Sequence, residues 1–372
     1  MLTASLFAAC TSDSSETDGQ QVLFEVGAAL PSFTVEQPSA SVTRSWTPPT
    51  GYYSYDDING QFEGQQSLLH TSIETFFTRN GAAAQQGTFY YNEGSSSWKL
   101  SMPIATGGNY YLYGFLPKDE AATSSIAPNP NFSDGAVLSL NGLSTVTPRD
   151  VCIIVGAKDG LSTTDDNGLT TGQFLVNAKA TNGSNHNYIY LLFDHLYAAM
   201  GLRFTIDAAY NDLRTIKLRK LEVKAIADND GTPIKAKQNA VVTLQANDSG
   251  TSPLVGEIAF TPDLTSADAE MEPLYEGEVV LSTAVPVTFM GSFIPGSTNY
   301  FSVRTTYDVY DKAGNLLRQH CQAENTIALR DIFGLSNILR GHMYMITFRV
   351  QPTYLYMLSD PDLDSPTMRI EN

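Results

Sequence analysis

Four acidic residues near the end of the printed sequence have the spacing of a calcium-binding loop. In DPDLDSPTMRIE, Asp360, Asp362, Asp364 and Glu371 occupy positions 1, 3, 5 and 12 of an EF-hand loop, where carboxylates coordinate the ion. Ser365, however, replaces the glycine that this loop needs for its sharp turn, and the preceding VQPTYLYML has the pattern of a strand rather than a helix. The sequence therefore predicts a solvated acidic turn here and no metal site.

Other motifs of catalysis or cofactor binding are missing from the sequence. It contains no G-x-S-x-G, H-E-x-x-H, P-loop or G-x-G-x-x-G pattern, and none of its five histidines has another four residues further on. His195 lies in a largely apolar run, which favours a hydrogen-bonded structural histidine over a catalytic one. We therefore expect no enzyme activity and no cofactor.

The three cysteines, Cys10, Cys152 and Cys321, lie far apart and form no C-x-x-C pair. This spacing argues against a zinc site and against a disulfide framework. Cys152 and Cys321 are predicted to be unpaired thiols, although the fold could still bring them together.

Cys10 differs from the other two because of the residues around it. The apolar LTASLFAA precedes it and the polar TSDSSETDGQ follows it, which resembles a bacterial lipobox. This pattern predicts that residues 1–9 are a signal peptide, that Cys10 is lipidated, and that outer-membrane lipid is a partner through its acyl chains. The alternative is a fortuitous cysteine in a short apolar leader, since the usual basic residues before the apolar run are missing.

Composition and charge narrow the class of protein. A chain of 372 residues usually holds more than one core, and 42% hydrophobic residues is enough to build cores. The net charge of −17, with only 22 basic residues, excludes nucleic acid as a partner because a phosphate binder needs a basic patch. No apolar run reaches the roughly 18 residues that span a bilayer.

Short alternating runs bounded by turn residues predict a β-sandwich architecture with few helices. VLFEV (22–26) and SFTVE (32–36) are the first predicted strands, NEGSSS (92–97) is a predicted hairpin turn, and VCIIVGA (151–157) is a predicted buried strand. SADAEMEPL (266–274) and LRDIFGLSNILRG (329–341) are predicted short helices, and the middle of 187–207 a helical turn or two. ATNGSNHN (180–187) is the predicted boundary between two domains.

Three parts of the sequence share a resemblance: LLFDHLYAAMGLRFTID (191–207), residues 340–372, and FYYNEGSSSWKLSMPI (89–104) with YYLYGFLP (110–117). They resemble, in that order, the segment that opens the second domain, the closing segment and the first domain of the fimbrillin family, the pilin subunits of Bacteroidales surface fimbriae. The resemblance implies an all-β chain of two tandem transthyretin-like Greek-key β-sandwiches. The implied domains are 45–186 and 187–372, with 10–44 as a propeptide.

The family resemblance also implies processing. Members are exported as lipoproteins, cut after an arginine that follows the first strands, and polymerised by donor-strand exchange. Arg44, followed by Ser45, lies where that arginine is expected, and Arg79 is a competing exposed arginine. Residues 22–36 would then occupy a groove before assembly, and residues 342–358 or 365–372 would supply the donor strand.

The leading hypothesis is therefore a structural or tip subunit of cell-surface fimbriae, exported to the outer membrane as a lipoprotein precursor. Its partners would be other fimbrial subunits, with ligands on host or bacterial surfaces as further candidates. The alternative is an outer-membrane-anchored lipoprotein that binds glycans, although only Trp46 and Trp98 are available to stack on sugars. A secreted hydrolase ranks third because no catalytic constellation supports it.

Overall fold

The fold was analysed in a computed structural model, which describes residues 21–31, 33–36, 52–53, 72–92, 97–103, 108–179, 187–246, 255–296, 299–354 and 361–371. Cys10, Arg44 and Ser45 lie outside these ranges. The described residues form β-strands joined by turns, with two short α-helices, α1 (Ala208–Leu213) and α2 (Leu329–Phe333). No helix in them is long and apolar enough to cross a membrane. The chain is an all-β sandwich protein, as predicted.

The first half of the chain supplies most of the first sandwich. Its strands are β1 (Gln21–Pro31), β3 (Tyr52–Tyr53), β4 (Ser72–Thr78), β5 (Gln85–Asn92), β6 (Ser97–Pro103), β7 (Gly108–Leu116), β8 (Thr123–Pro128), β9 (Gly135–Ser144), β11 (Cys152–Asp159), β12 (Leu175–Ala178) and β13 (Asn187–His195), with β16 (Lys237–Gln245) and β17 (Val255–Pro262) from later in the chain. Short 3-10 turns at Lys118–Glu120 and Phe132–Asp134 precede β8 and β9.

These strands make two layers around one core. The larger sheet has the order β11-β13-β1-β6-β5-β4-β7-β12, and a further pairing of β7 with β11 closes it on itself. The smaller sheet has the order β17-β16-β9-β8. Alternating apolar residues of both sheets, such as Phe77 and Leu112 on one side and Leu138 and Val242 on the other, fill the space between the layers.

The second sandwich has the same two-layer plan. Its strands are β2 (Thr34–Glu36), β10 (Val146–Thr147), β14 (Ala198–Ile206), β15 (Thr215–Ile226), β18 (Glu272–Val280), β19 (Val287–Phe293), β20 (Tyr300–Tyr310), β21 (Leu316–Ala328), β22 (His342–Tyr354) and β23 (Pro361–Glu371). One sheet has the order β10-β19-β14-β22-β2, with β23 also paired to β22, and the other has the order β18-β15-β20-β21.

The two cores do not follow the sequence boundary predicted before residue 187. β13 starts at that residue, yet it pairs with β1 and β11, and its apolar side chains lie in the first core. The β16–β17 hairpin also belongs to the first core, because β16 pairs with β9. Where β13 leads into β14, the chain passes from the first core to the second between Tyr197 and Ala198, and the β16–β17 hairpin later returns to the first core. The division into 45–186 and 187–372 as separate domains stays a prediction.

Local predictions had mixed outcomes. The hairpin around NEGSSS is confirmed by antiparallel pairing of β5 with β6, and VCIIVGA forms the buried strand β11. The helix predicted at 266–274 is wrong, since β18 begins at Glu272 and pairs with β15. The helical turn predicted within 187–207 is also wrong, because β13 and β14 fill that segment. The helix predicted at 329–341 is confirmed only for α2, which ends at a left-handed Gly334.

Candidate functional site

The candidate site is the place that β1 occupies in the larger sheet of the first sandwich. β1 pairs in parallel with β13, from Phe24 opposite Asn187 to Ala29 opposite Leu192. Its other edge pairs antiparallel with β6, from Gln21 opposite Pro103 to Val26 opposite Trp98. A strand with neighbours on both edges is internal to its sheet, and among the described strands β1 is the one that lies between β13 and β6.

The alternating pattern of VLFEV directs its apolar side chains into the first core. Phe24 and Val26 are both fully buried, and the Phe24 ring centroid lies 5.1 Å from that of Phe77 and 6.4 Å from that of Phe89. On the intervening position, Glu25 pairs with Lys99 of β6 at 3.1 Å. Fully burying a side chain such as Phe or Val contributes roughly 1.5–3 kcal/mol, so β1 contributes substantially to this core.

Gly27 shows how closely the outer side of β1 is covered. A Cβ atom at this position would lie 2.0 Å from the backbone oxygen of Thr163 and 2.8 Å from the Tyr190 ring. Only glycine fits such an approach without moving the backbone. The loop that carries Thr163 therefore packs directly on β1, and both faces of this strand are enclosed.

After β1 the chain crosses to the second sandwich. Thr34 N–H donates to the carbonyl of Gly341 at 2.9 Å, and β2 then pairs in parallel with His342–Tyr344 of β22. Glu36 Oε1 lies 2.9 Å from His342 Nδ1. Residues 21–36 thus bind to both sandwiches.

Phe33 lies at this crossing. Its ring stacks on the His195 ring with centroids 3.8 Å apart, and it also packs against Ala199, Met290, Met343 and Met345. No sequence motif assigns a function to Phe33. The alternating SFTVE pattern predicted a strand there, and the aromatic residue at its start is the one signal that could have suggested a contact between the sandwiches.

β23 lies at the other end of the described residues and, unlike β1, is paired with a single strand. It pairs antiparallel with β22, from Thr347 opposite Glu371 to Tyr354 opposite Pro361, next to the part of the same β22 edge that pairs with β2. Met368 is buried in the second core, and its sulfur lies 3.1 Å from Thr305 Oγ1. Within the described residues, β22 is the only strand to which β23 is hydrogen-bonded.

This strand corrects the sequence interpretation of DPDLDSPTMRIE. We predicted a solvated acidic turn, whereas residues 361–371 form a strand along β22, with a break in register where the pairing passes from Pro366 opposite Pro352 to Asp362 opposite Thr353. Backbone pairing on both sides of this break holds the segment along its partner strand, whereas an EF-hand loop folds around its ion. Pairing with β22, which the sequence alone does not reveal, is the physical reason for the difference.

The predicted processing residues have different outcomes. Cys10, Arg44 and Ser45 lie outside the described residues, so lipidation and cleavage stay predictions. The competing Arg79 follows β4 directly, and its guanidinium carbon lies 4.9 Å from the centroid of the Tyr110 ring.

The two described thiols are unpaired, as expected. Cys152 is buried in the first core and Cys321 lies half-buried against the second, and both are free. Burial raises the pKa of Cys152 well above its ordinary value, and the neighbouring Asp150 carboxylate raises it further. Cys152 is therefore a neutral thiol and not an activated nucleophile.

His195 is the structural histidine that the sequence predicted. It is buried, and its Nδ1 lies 2.7 Å from Asp150 Oδ2. Trp98, one of two tryptophans considered for stacking on a glycan, is also buried, at 2% exposure, and packs against Tyr91. Trp98 is therefore unavailable to a sugar, which weakens the glycan-binding alternative.

No protein-family model matches the chain, and no curated protein matches its sequence. The solved structures that resemble it are described as cell adhesion proteins, adhesins and fimbrial proteins of Bacteroidales. One is a candidate cell adhesion protein from Bacteroides fragilis, at 13% identity and a TM-score of 0.43, with 94% of this chain and 97% of that chain covered. Another is a fimbrial protein from Bacteroides vulgatus, at 13% identity and a TM-score of 0.30, covering 81% and 91%. A third is the fimbrial anchor protein Mfa2 from Porphyromonas gingivalis, at 8% identity and a TM-score of 0.26, covering 93% and 97%.

Proposed function

We propose that this chain is a structural or tip subunit of cell-surface fimbriae that polymerises by protease-triggered donor-strand exchange and supports adhesion. The observation that carries the proposal is the internal position of β1, which has paired neighbours on both edges and buried side chains in the core. A strand near the start of the chain thus fills a place that another strand of matching pattern could fill.

Cleavage after Arg44 would separate β1 and β2 from the rest of the chain. The segment would then be held by backbone hydrogen bonds, by the burial of Phe24 and Val26, and by the Phe33 contact, with no covalent link. Once the segment dissociates, the edges of β6 and β13 that paired with β1 lose their partner. Phe77 and Phe89, which pack against Phe24, then become exposed at the floor of the groove. Unpaired edges above an apolar floor bind an added strand through backbone hydrogen bonds, and the pockets between side chains select its sequence.

β23 is the donor strand that we favour, because it is hydrogen-bonded to one neighbour and can leave without interrupting a sheet. β22, the other part of the predicted donor region, is less suited because β14 pairs with one of its edges while β2 and β23 share the other. A strand from one subunit that enters the next subunit makes a head-to-tail contact. Such contacts produce a filament when the rotation does not close.

Export and location complete the proposal. Lipidation at Cys10 would hold the precursor in the outer membrane until cleavage after Arg44 releases the lipidated segment, leaving the subunit in the fimbrium. An uncut chain would stay anchored through Cys10, and the same fold would then serve as an anchor subunit or as a lipoprotein that binds surface ligands.

The experiment treats the purified chain with an arginine-specific protease and follows two readouts, the mature N-terminus by mass spectrometry and the polymer by size-exclusion chromatography. We expect an N-terminus at Ser45 and polymers that appear only after the cut. Arg44→Ala should block both, and the matched control Arg79→Ala should block neither. A chain cut after Arg44 that stays monomeric under all conditions would overturn donor-strand exchange.

A second set of experiments tests which strand leaves the groove and which strand is donated to the next subunit. A synthetic QVLFEVGAALP peptide (residues 21–31) should refill the groove and slow the assembly of processed chains, whereas the same peptide with Phe24→Ala should be much weaker. A chain that ends at Asp360 should be processed normally but should not donate to a neighbour. Unchanged polymerisation of that truncated chain would exclude β23 as the donor.

A further inference from the structure

A cluster of three metal-ligand side chains lies where the first sandwich meets the crossing segment. Asp150 directly precedes Val151 and β11, Cys152 opens β11, and His195 ends β13. β11 and β13 are antiparallel neighbours, and Cys152 is directly opposite His195 in their register. Side chains of residues directly opposite each other lie close together, so the topology brings a thiol, an imidazole and a carboxylate to one point.

The donor atoms are close enough to share one ion. Cys152 Sγ lies 3.0 Å from Asp150 Oδ2 and 3.8 Å from His195 Nδ1, and that nitrogen lies 2.7 Å from the same carboxylate oxygen. Zinc binds cysteine sulfur at about 2.3 Å and histidine nitrogen or carboxylate oxygen at about 2.0–2.2 Å. Each pair of atoms is nearer than the sum of the two bonds that would join it to a common ion. An ion bound to all three atoms would replace the hydrogen bonds that now join them.

Two further atoms of the cluster are buried and have no hydrogen-bond partner, Asp150 Oδ1 and His195 Nε2. A buried carboxylate oxygen without a donor costs free energy, since water no longer solvates it. A cation bound to the same carboxylate would supply the missing interaction.

We propose that Asp150, Cys152 and His195 form a binding site for a single divalent zinc-like metal ion. The mixed sulfur, nitrogen and oxygen donor set suits zinc and disfavours calcium and magnesium, which take oxygen ligands. For Nδ1 to bind the ion, neutral His195 must carry its ring proton on Nε2, so the proton that Nδ1 donates to Asp150 moves to that nitrogen. Binding also displaces the thiol proton of Cys152 to solvent, and the resulting thiolate together with the Asp150 carboxylate balances the two positive charges. A neutral site of this kind avoids the cost of an uncompensated buried charge.

The surroundings support a closed site. Cys152 is 1% exposed and His195 is 2% exposed, and the Phe33 ring covers one face of the imidazole. The nearby guanidinium of Arg340 is paired with Asp194 at 2.7 Å and also donates to the carbonyl of His195, so its charge is already compensated. The side chain of Asp150 is 18% exposed, which gives an ion access from solvent.

The metal would tie β11 to β13, the strand whose other edge pairs with β1. It would therefore hold β13 in place whether β1 is present or not. The metal site rests on the geometry of these three residues and does not depend on the proposed polymerisation.

The test titrates the full chain, reduced and freed of metal by a chelator, with Co²⁺ and then with Zn²⁺. We expect a thiolate-to-cobalt charge-transfer band that saturates at one equivalent, disappears when zinc displaces cobalt, and is accompanied by a rise in Tm with zinc. Cys152→Ser should abolish the band, while the control Cys321→Ser, which alters the other described thiol, should leave it unchanged.

If Cys152→Ser fails to fold, Asp150→Asn still tests the proposal. This variant should fold, because the Asp150 side chain reaches the surface and asparagine has the same shape. Loss of its carboxylate should weaken cobalt binding at least about tenfold, the lower bound seen when even a supporting residue of a metal site is changed. Circular dichroism and tryptophan fluorescence check that each variant is folded. The absence of any band, or a band that survives Cys152→Ser or disappears with Cys321→Ser, would overturn the proposal.

Discussion

β1 and β23 are both eleven-residue strands, yet they are held in different ways. β1 lies inside the larger sheet of the first sandwich, with β13 on one edge and β6 on the other, and Phe24 and Val26 in the core. β23 lies along β22 in the second sandwich and contributes Met368 to that core. One strand completes a sheet and the other extends one.

The difference teaches what each strand can do. Removing an internal strand leaves two unpaired edges and an open core, which is costly unless another strand replaces it. Removing a strand that has one partner leaves a single unpaired edge and a smaller loss of burial. A donor strand that pairs with one strand in its own subunit and with two strands in the next subunit gains hydrogen bonds and burial on transfer. In our proposal, this difference in free energy drives polymerisation.

The largest expected effect comes from Phe24. Phe24→Ala removes a fully buried ring from the first core and should lower the free energy of unfolding by about 3–5 kcal/mol. Urea denaturation followed by tryptophan fluorescence in a Trp46→Phe background, where Trp98 is the remaining tryptophan, measures this, because Trp98 lies opposite Val26 in the β1–β6 pairing. Tyr90→Ala is the matched control, since that aromatic ring on β5 is 63% exposed and its loss should change stability by less than about 0.5 kcal/mol. Similar effects of the two variants would mean that β1 does not complete the core.

Met368 offers the corresponding change in β23. Met368→Ala should cost about 2–3 kcal/mol, the lower part of the range for this substitution, because a strand with one partner can shift to fill the space. The effect should appear in the second sandwich, measured by hydrogen exchange of β22 and β20 amides, and Trp98 fluorescence in the same Trp46→Phe background should respond little. A cost equal to that of Phe24→Ala would contradict the asymmetry between the two strands.

Much of the local structure could be predicted from the sequence because it depends on neighbours along the chain. The two strands of the NEGSSS hairpin are adjacent in the sequence, and VCIIVGA is apolar throughout. Each local pattern is therefore enough to predict its own structure. The strands on either side of Phe33, β1 and β2, were also predicted, since VLFEV and SFTVE alternate.

Long-range pairing is what the sequence pattern could not supply. β13 pairs with β1 across more than 150 residues, and β16 pairs with β9 across about 100, and no local pattern specifies such partners. The segment 266–274 has helix-forming residues, but backbone hydrogen bonds of 267–269 with 234–236, and pairing of β18 with β15 from Glu272 onward, override that propensity. The contact of Asp150 and Cys152 with His195 was missed for the same reason, because only the β11–β13 register brings the two parts together.

Phe33 should have a smaller effect than either strand residue. Phe33→Ala removes a half-buried ring from His195 and the three methionines, and we expect a loss of about 0.8–1.5 kcal/mol, roughly half the benefit of a fully buried aromatic side chain. After cleavage following Arg44, the lost contact should speed the dissociation of residues 21–36, measured by size exclusion of the processed complex. Unchanged dissociation would show that β1 pairing alone holds the segment.

The smallest expected effect tests β2. Glu36 lies 2.9 Å from His342, but both side chains are partly exposed, at 36% and 24%, so solvent and salt screen the pair. Glu36→Gln should therefore cost no more than about 1 kcal/mol, and a double-mutant cycle with His342→Gln isolates the pair from other contacts. A coupling energy well above that value would place the anchoring of the segment in β2 rather than in β1. The comparison between the internal strand and the edge strand would then have to include β2 as a third element, since it shares the same edge of β22 with the proposed donor.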